Sequence, residues 1–103
     1  MSREIEINFN NALMQANALE NLAGEIRGLS GNYADTMNAI SANWNSENSV
    51  IYLNKGALLN TSIGNTASDL EIITRNIRST ARRIYEAEKE AERLAAERLS
   101  KNG

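Results

Sequence analysis

The sequence predicts an all-α fold, an antiparallel two-helix hairpin with a Trp in its turn that dimerises into a four-helix bundle. Three observations carry that expectation. The chain has no proline in 103 residues, and proline is what most sharply stops a helix. Two long stretches space their apolar residues three and four apart, the period of a helix with one buried face. Between them lies one cluster of Asn and Ser around the only Trp, residue types that compete with the helical backbone for hydrogen bonds and favour turns. No segment is left for a sheet.

The first helix is expected over about 8–42. Its seam runs Phe9, Ala12, Ala16, Leu19, Ala23, Ile26, Ser30, Tyr33, Met37, Ile40 and Trp44, a heptad-like series with Ser30 as its one clearly polar member. Leu13, Leu22 and Leu29 flank it, so the apolar face is wider than a strict two-stranded coiled coil needs. Asn8, Asn10 and Asn11 are the cap candidates. Ahead of them, Ile5 and Ile7 alternate with polar residues, which reads as a short extended arm.

The turn falls at 43–46. Asn45 or Ser46 is placed to cap the second helix, with Glu47 in the first turn, where the helix dipole favours an acid. That helix is expected over about 47–84. Its seam is Leu53, Gly56, Asn60, Ile63, Ala67, Leu70, Thr74, Ile77, Ala81 and Ile84, widened by Tyr52, Leu59 and Ile73. Two helices of equal length joined by a tight turn make an αα-hairpin, and residues 1–103 form one domain. From Tyr85 the composition shifts to Ala, Glu and Arg. These are strong helix formers with little left to bury, so 85–103 reads as a charged helical extension projecting past the hairpin, frayed at its end and disordered over 100–103.

Composition weighs against catalysis. There is no Cys and no His, which removes disulfides, thiolate metal sites and the side chain whose ordinary pKa suits acid–base work near neutrality. A net charge of −2 draws the chain to neither nucleic acid nor anionic lipid. No apolar run of about 18 residues spans a membrane. Met1 to Glu6 lacks the apolar core of a cleaved signal peptide, and Ser2 is not a myristoylation site.

The remaining candidates have plain readings. Arg75, Arg78, Arg82 and Arg83 gather largely on one face and suit a phosphate, yet Glu71 and Glu86 lie four residues from Arg75 and Arg82, the spacing of ordinary surface pairs. Glu86, Glu88, Glu90 and Glu92 point in different directions around a helix and form no metal cage; no metal or cofactor is expected. Gly24, Gly28, Gly56 and Gly64 either let backbones approach or loosen the helices. A lone Trp44 in a turn most often plugs the local core.

Length, two helices and Trp44-Asn45-Ser46 in the connecting turn resemble the WXG family, small ESAT-like hairpins exported by type VII (ESX) secretion systems. The resemblance covers roughly Ile5 to Glu90. The family pattern is Trp-x-Gly, and Ser46 stands at its third position. Members often carry Tyr-x-x-x-Asp/Glu after the second helix; Tyr85 stands in that place, with Lys89 four residues on and Glu88 and Glu90 beside it. The resemblance implies a non-enzymatic, dimeric secreted effector or secretion adaptor. It further implies that Tyr85, Glu88 and Lys89 mark the export signal, that a type VII ATPase is a partner, and that the protein is cytoplasmic before export and extracellular after it.

The residues themselves point to a dimer. Phe9, Leu13, Leu22, Leu29, Leu59, Ile63, Leu70, Ile73 and Ile77 are the expected core and dimer face, more apolar surface than one hairpin buries. A homodimer is preferred to a heterodimer with a related hairpin, and neither nucleic acid nor stable membrane insertion is expected. The competing reading is a cytosolic helical-bundle interaction module unrelated to secretion.

Overall fold

Two helices account for nearly all of the chain: α1 (Ser2–Asn43) and α2 (Glu47–Asn102). Residues 44–46 connect them, and no strand occurs among the described residues. The structure is a computed structural model that describes residues 2–102, with side chains described over 3–101. The all-α hairpin is what forms.

Both helices run further than expected. α1 starts at Ser2, so the extended arm over Ile5 and Ile7 is corrected to helix. Ile5 lies one seam step before Phe9 and is half-buried; the helical period outweighs the short alternation. Asn8, Asn10 and Asn11 are therefore helix-interior residues and not caps, and Glu4 takes the acidic first-turn position. The longer α1 changes the fate of 85–103. Tyr85, Lys89 and Glu92 are half-buried and the helix continues to Asn102. The extension expected to project and fray thus packs for its first two turns, and Ser100 and Lys101 are helical. Of that tail, Gly103 lies outside the described residues.

The chain divides into two compact units, a terminal unit of Met1–Ala18 with Ile73–Gly103 and a turn unit of Leu19–Ile72. In the terminal unit Ala16 and Thr74 are fully buried, with Phe9, Ala12, Leu13, Ile77 and Ala81 half-buried around them. Beyond Ala81 the seam steps to Tyr85, Lys89 and Glu92 instead of Ile84, which is exposed. Steps of four, four and three belong to an eleven-residue pattern, which unwinds a coil locally and brings a different stripe inward.

In the turn unit Ala23, Gly56 and Ala67 are buried, flanked by Leu19, Ile26, Ser30, Tyr33, Met37, Leu53, Asn60, Ile63 and Leu70. Ser30 is the polar member of the expected seam, and its hydroxyl lies 2.6 Å from Asn60 Oδ1. The two polar seam residues satisfy one another, which a half-buried pair requires. Gly56 is the one glycine of close approach: a Cβ there would meet Met37 Sδ at 2.7 Å and the Tyr33 hydroxyl at 3.1 Å. Gly24, Gly28 and Gly64 face open space. Every fully buried hydrophobic side chain among the described residues is alanine, so the core of one chain is thin.

Candidate functional site

Two places concentrate chemistry, one in each unit. In the turn unit the site is the connection itself. Ser46 is the N-cap of α2: the Ser49 backbone N–H donates to Ser46 Oγ at 3.2 Å, and the Ser46 N–H donates to Ser49 Oγ at 3.0 Å. The Ser49 hydroxyl in turn donates to the Ser46 carbonyl at 2.7 Å. This is a reciprocal capping box with serine in the place usually held by Glu or Gln. It gives a physical reason for serine at position 46, because glycine has no side-chain oxygen to accept the Ser49 N–H.

Trp44 is anchored by its backbone, whose N–H donates to the Ile40 carbonyl at 2.8 Å. Its ring stacks on Tyr52 at a centroid distance of 5.9 Å and an angle of 27°. The indole is 44% exposed and Tyr52 is 64% exposed. Trp44 is therefore not a core plug; with Tyr52 it forms an aromatic pair open to solvent. Asn45 is exposed beside it.

In the terminal unit the site is a clasp around Tyr85. The Tyr85 ring stacks on Phe9 with centroids 4.4 Å apart and planes at 29°. Its hydroxyl donates to Glu6 Oε1 at 2.7 Å, and Lys89 Nζ lies 3.8 Å from the same oxygen. The Arg82 guanidinium sits 5.9 Å from the Phe9 ring centroid, within cation–π reach. The Tyr85 hydroxyl is held above the ordinary tyrosine range, chiefly by its hydrogen bond to the Glu6 carboxylate, then by burial and by the carboxylate's charge. Phe9 and Tyr85, with Ile5, Ala12, Ala81 and Ile84, line a half-open, mainly apolar pocket of about 210 Å³ that Asn8 and Glu88 also border. An open groove of about 610 Å³ is lined by Ile5, Asn8, Glu88, Ala91, Ala95 and Leu99.

Sequence reasoning placed Tyr85, Glu88 and Lys89 on one turn of α2 but could not see Glu6 or Phe9, which reach Tyr85 across the hairpin. The one signal for that contact was Ile5, a seam residue preceding the expected helix start.

The arginines do more than pair along their own helix. Glu71 reaches across to Arg27, which bonds its carboxylate through both Nε and Nη2 and also Ser68 Oγ at 3.1 Å. Arg78 bonds Asn17 Oδ1 at 2.7 Å. Both contacts cross from one helix to the other, where the sequence spacing pointed to pairs along α2. Of the Glu residues in the extension, Glu90 pairs with Arg93 at 2.6 Å, which holds its carboxyl below the usual range. Among the described residues no group of three or more carboxylates gathers as metal ligands, and no helix is long and apolar enough to cross a membrane.

The expected core and dimer face splits in two. Phe9, Leu13, Ile63, Leu70 and Ile77 are half-buried within the chain. Leu22, Leu29, Leu59 and Ile73 are exposed. Comparison with known protein families, curated proteins and solved structures finds no match to this chain.

Proposed function

We propose that this chain is a non-enzymatic helical hairpin that works as a dimer and is exported by a type VII secretion system, as a secreted effector or a secretion adaptor. One observation carries the dimer. In the turn unit, Leu22 and Leu29 on α1 and Tyr52 and Leu59 on α2 each stand one residue before a seam position, whereas Arg27 and Glu71 each stand one after. In an antiparallel helix pair, residues just before such seam positions share one edge and residues just after them share the other. The Arg27–Glu71 edge is closed by its ion pair. The other edge presents four large side chains, each between 44% and 64% exposed. Burying the part of each that is still exposed stabilises by roughly 1 kcal/mol per side chain, which adds to the little that an alanine core supplies. A second hairpin laid on this edge completes a four-helix bundle.

Export is supported by the hairpin form, by the half-exposed Trp44 indole at the turn and by Tyr85 at the head of the terminal cluster. An exposed indole offers a partner a large apolar surface with a polar N–H. The Tyr85 turn carries an aromatic with a polar tip at a half-open, mainly apolar pocket, a composition suited to docking.

The test is secretion of the full chain from a strain with an active type VII system and from the same strain without its ATPase. Secretion in the first and retention in the second supports the proposal; equal secretion or equal retention rejects it. Tyr85→Ala with Glu88→Ala, scored alongside light scattering, separates loss of the signal from loss of the dimer.

A further inference from the structure

We propose that Glu6 belongs to the same recognition element as Tyr85, so that the export signal is composite, assembled from the first turns of α1 and the 85–89 turn of α2, with Lys89 as a positioning residue. The inference rests on the export reading and adds to it a residue from the opposite end of the sequence.

Three contacts carry it. The Tyr85 hydroxyl donates to Glu6 Oε1 at 2.7 Å. Lys89 Nζ approaches the same oxygen at 3.8 Å. Phe9 supports the Tyr85 ring from α1, at 4.4 Å between centroids. A surface that touches the phenol tip therefore meets the Glu6 carboxylate at once. That carboxylate is still available, because the Glu6 side chain remains 45% exposed while it holds both partners.

The role of Lys89 follows from its charge. One helical turn after Tyr85, the chain carries an ammonium and not a carboxylate. An ammonium does not reproduce an acid, but it attracts one. Lys89 and Tyr85 sit on the same side of α2, four residues apart, and both converge on Glu6. Along its own helix Tyr85 has Glu88 three residues on, and Glu6 adds from α1 the carboxylate that the phenol oxygen itself touches. The docking partner implied is an apolar pocket with a hydrogen-bond donor or cation at its rim, able to take the ring edge and the carboxylate together.

Such a signal exists only when α1 and α2 are packed. A linear C-terminal segment holds Tyr85 and Lys89 without Glu6 and presents a different charge.

The experiment is secretion of full-length variants in a strain with an active type VII system, with thermal melts and light scattering on the same proteins. Glu6→Gln keeps the shape of the side chain and removes its charge. Its secreted fraction is expected to fall roughly tenfold, the scale of one charge-assisted hydrogen bond, with dimer mass and melting curve unchanged. Adding Lys89→Glu to Glu6→Gln returns an acid to the neighbourhood of Tyr85 and is expected to restore most of the secretion. Glu6→Gln secreted at the wild-type level, where Tyr85→Ala is retained, overturns the composite signal and leaves a linear one. A Glu6→Gln variant that melts early and gains nothing from Lys89→Glu makes Glu6 a structural residue and also overturns it. If the unaltered chain is not secreted, the export reading falls and takes this inference with it.

Discussion

The two units of this hairpin solve the same packing problem with different residues. The turn unit closes on small groups, with Gly56 against Met37, the alanines Ala23 and Ala67, and the Ser30–Asn60 bond. Leu22, Leu29, Tyr52 and Leu59 are left largely exposed on one edge. The terminal unit closes on large groups, with Phe9 stacked on Tyr85 and the Glu6, Lys89 and Arg82 side chains around them. A small-residue seam brings helices together but buries little apolar area. An aromatic and ionic clasp is satisfied within its own unit. On the proposed reading the two units divide the labour: a second hairpin covers the turn unit, and the terminal unit is the part that is read.

The strongest way to break that comparison is to make the outward edge of the turn unit repel a partner. Leu29→Asp with Leu59→Asp removes two exposed apolar anchors and places carboxylates where a second chain must desolvate them. Dimer affinity is expected to fall at least about a thousandfold, roughly 4 kcal/mol. Light scattering at micromolar concentration should then give the mass of one chain. The same paired substitution at Ile7 and Leu99 in the terminal unit is expected to leave the dimer intact. If it is the Ile7 and Leu99 variant that dissociates, the assignment of roles is reversed.

Glycine sharpens the comparison inside the turn unit. Gly56→Val forces a branched side chain into the space held by Met37 and Tyr33 and is expected to cost about 2 kcal/mol through overpacking. Gly28→Ala adds a methyl group to open space and is expected to stabilise the helix by about 1 kcal/mol. Chemical denaturation of both variants measures the two signs directly. A loss at Gly28 would mean that its bare backbone is itself covered, most simply by the second hairpin.

How much of this was legible in the sequence varies with how local each cause is. The seam from Phe9 to Met37 and from Leu53 to Ala81 follows from spacing alone, because a helix buries what recurs every three or four residues. The cap at Ser46 was equally local. Two things were hidden. The start of α1 was masked by an Ile5–Ile7 alternation that mimics a strand over too few residues to decide. That error carried through to the tail, since without the first turns of α1 nothing remained for Tyr85, Lys89 and Glu92 to pack on. Trp44 departs from the core-plug expectation for another reason. Burial odds for tryptophan describe proteins with large cores, and among the described residues the fully buried hydrophobic side chains are alanines. The contacts that define the clasp, Glu6 with Tyr85 and Phe9 with Tyr85, join residues at opposite ends of the sequence and leave no trace in either local pattern.

The turn offers a smaller effect. Ser46→Ala removes the cap oxygen that the Ser49 N–H uses, an expected loss of about 1 kcal/mol. Trp44→Ala is expected to cost a similar amount, about 1 kcal/mol for the Tyr52 stack, and not the roughly 3 kcal/mol of a core aromatic. Calorimetry on the two variants tests the exposed position of the indole. A loss of about 3 kcal/mol at Trp44 would show that the dimer buries it.

The smallest effect belongs to the clasp and is read by pH. The Tyr85 phenol is held above its ordinary value, near 10, because its neutral form donates to the Glu6 carboxylate. A raised folded value means that the neutral phenol is favoured by folding. Its contribution is fully present below the ordinary tyrosine value and fades as pH rises through the folded one. Lys89, which shares the Glu6 carboxylate, is a cation close by and by itself favours the ionised phenol. Ultraviolet titration should therefore show one of the three tyrosines ionising late, with the Phe9 stack loosening over the same interval. Glu6→Gln should move that late tyrosine back toward the ordinary value, since a neutral amide gains nothing from keeping the phenol protonated. The same variant should leave the turn unit untouched, with the Trp44 fluorescence maximum equal to that of the unaltered chain at each pH. A shift of the indole emission in step with Tyr85 ionisation would tie the two units into one cooperative element and end the division drawn between them.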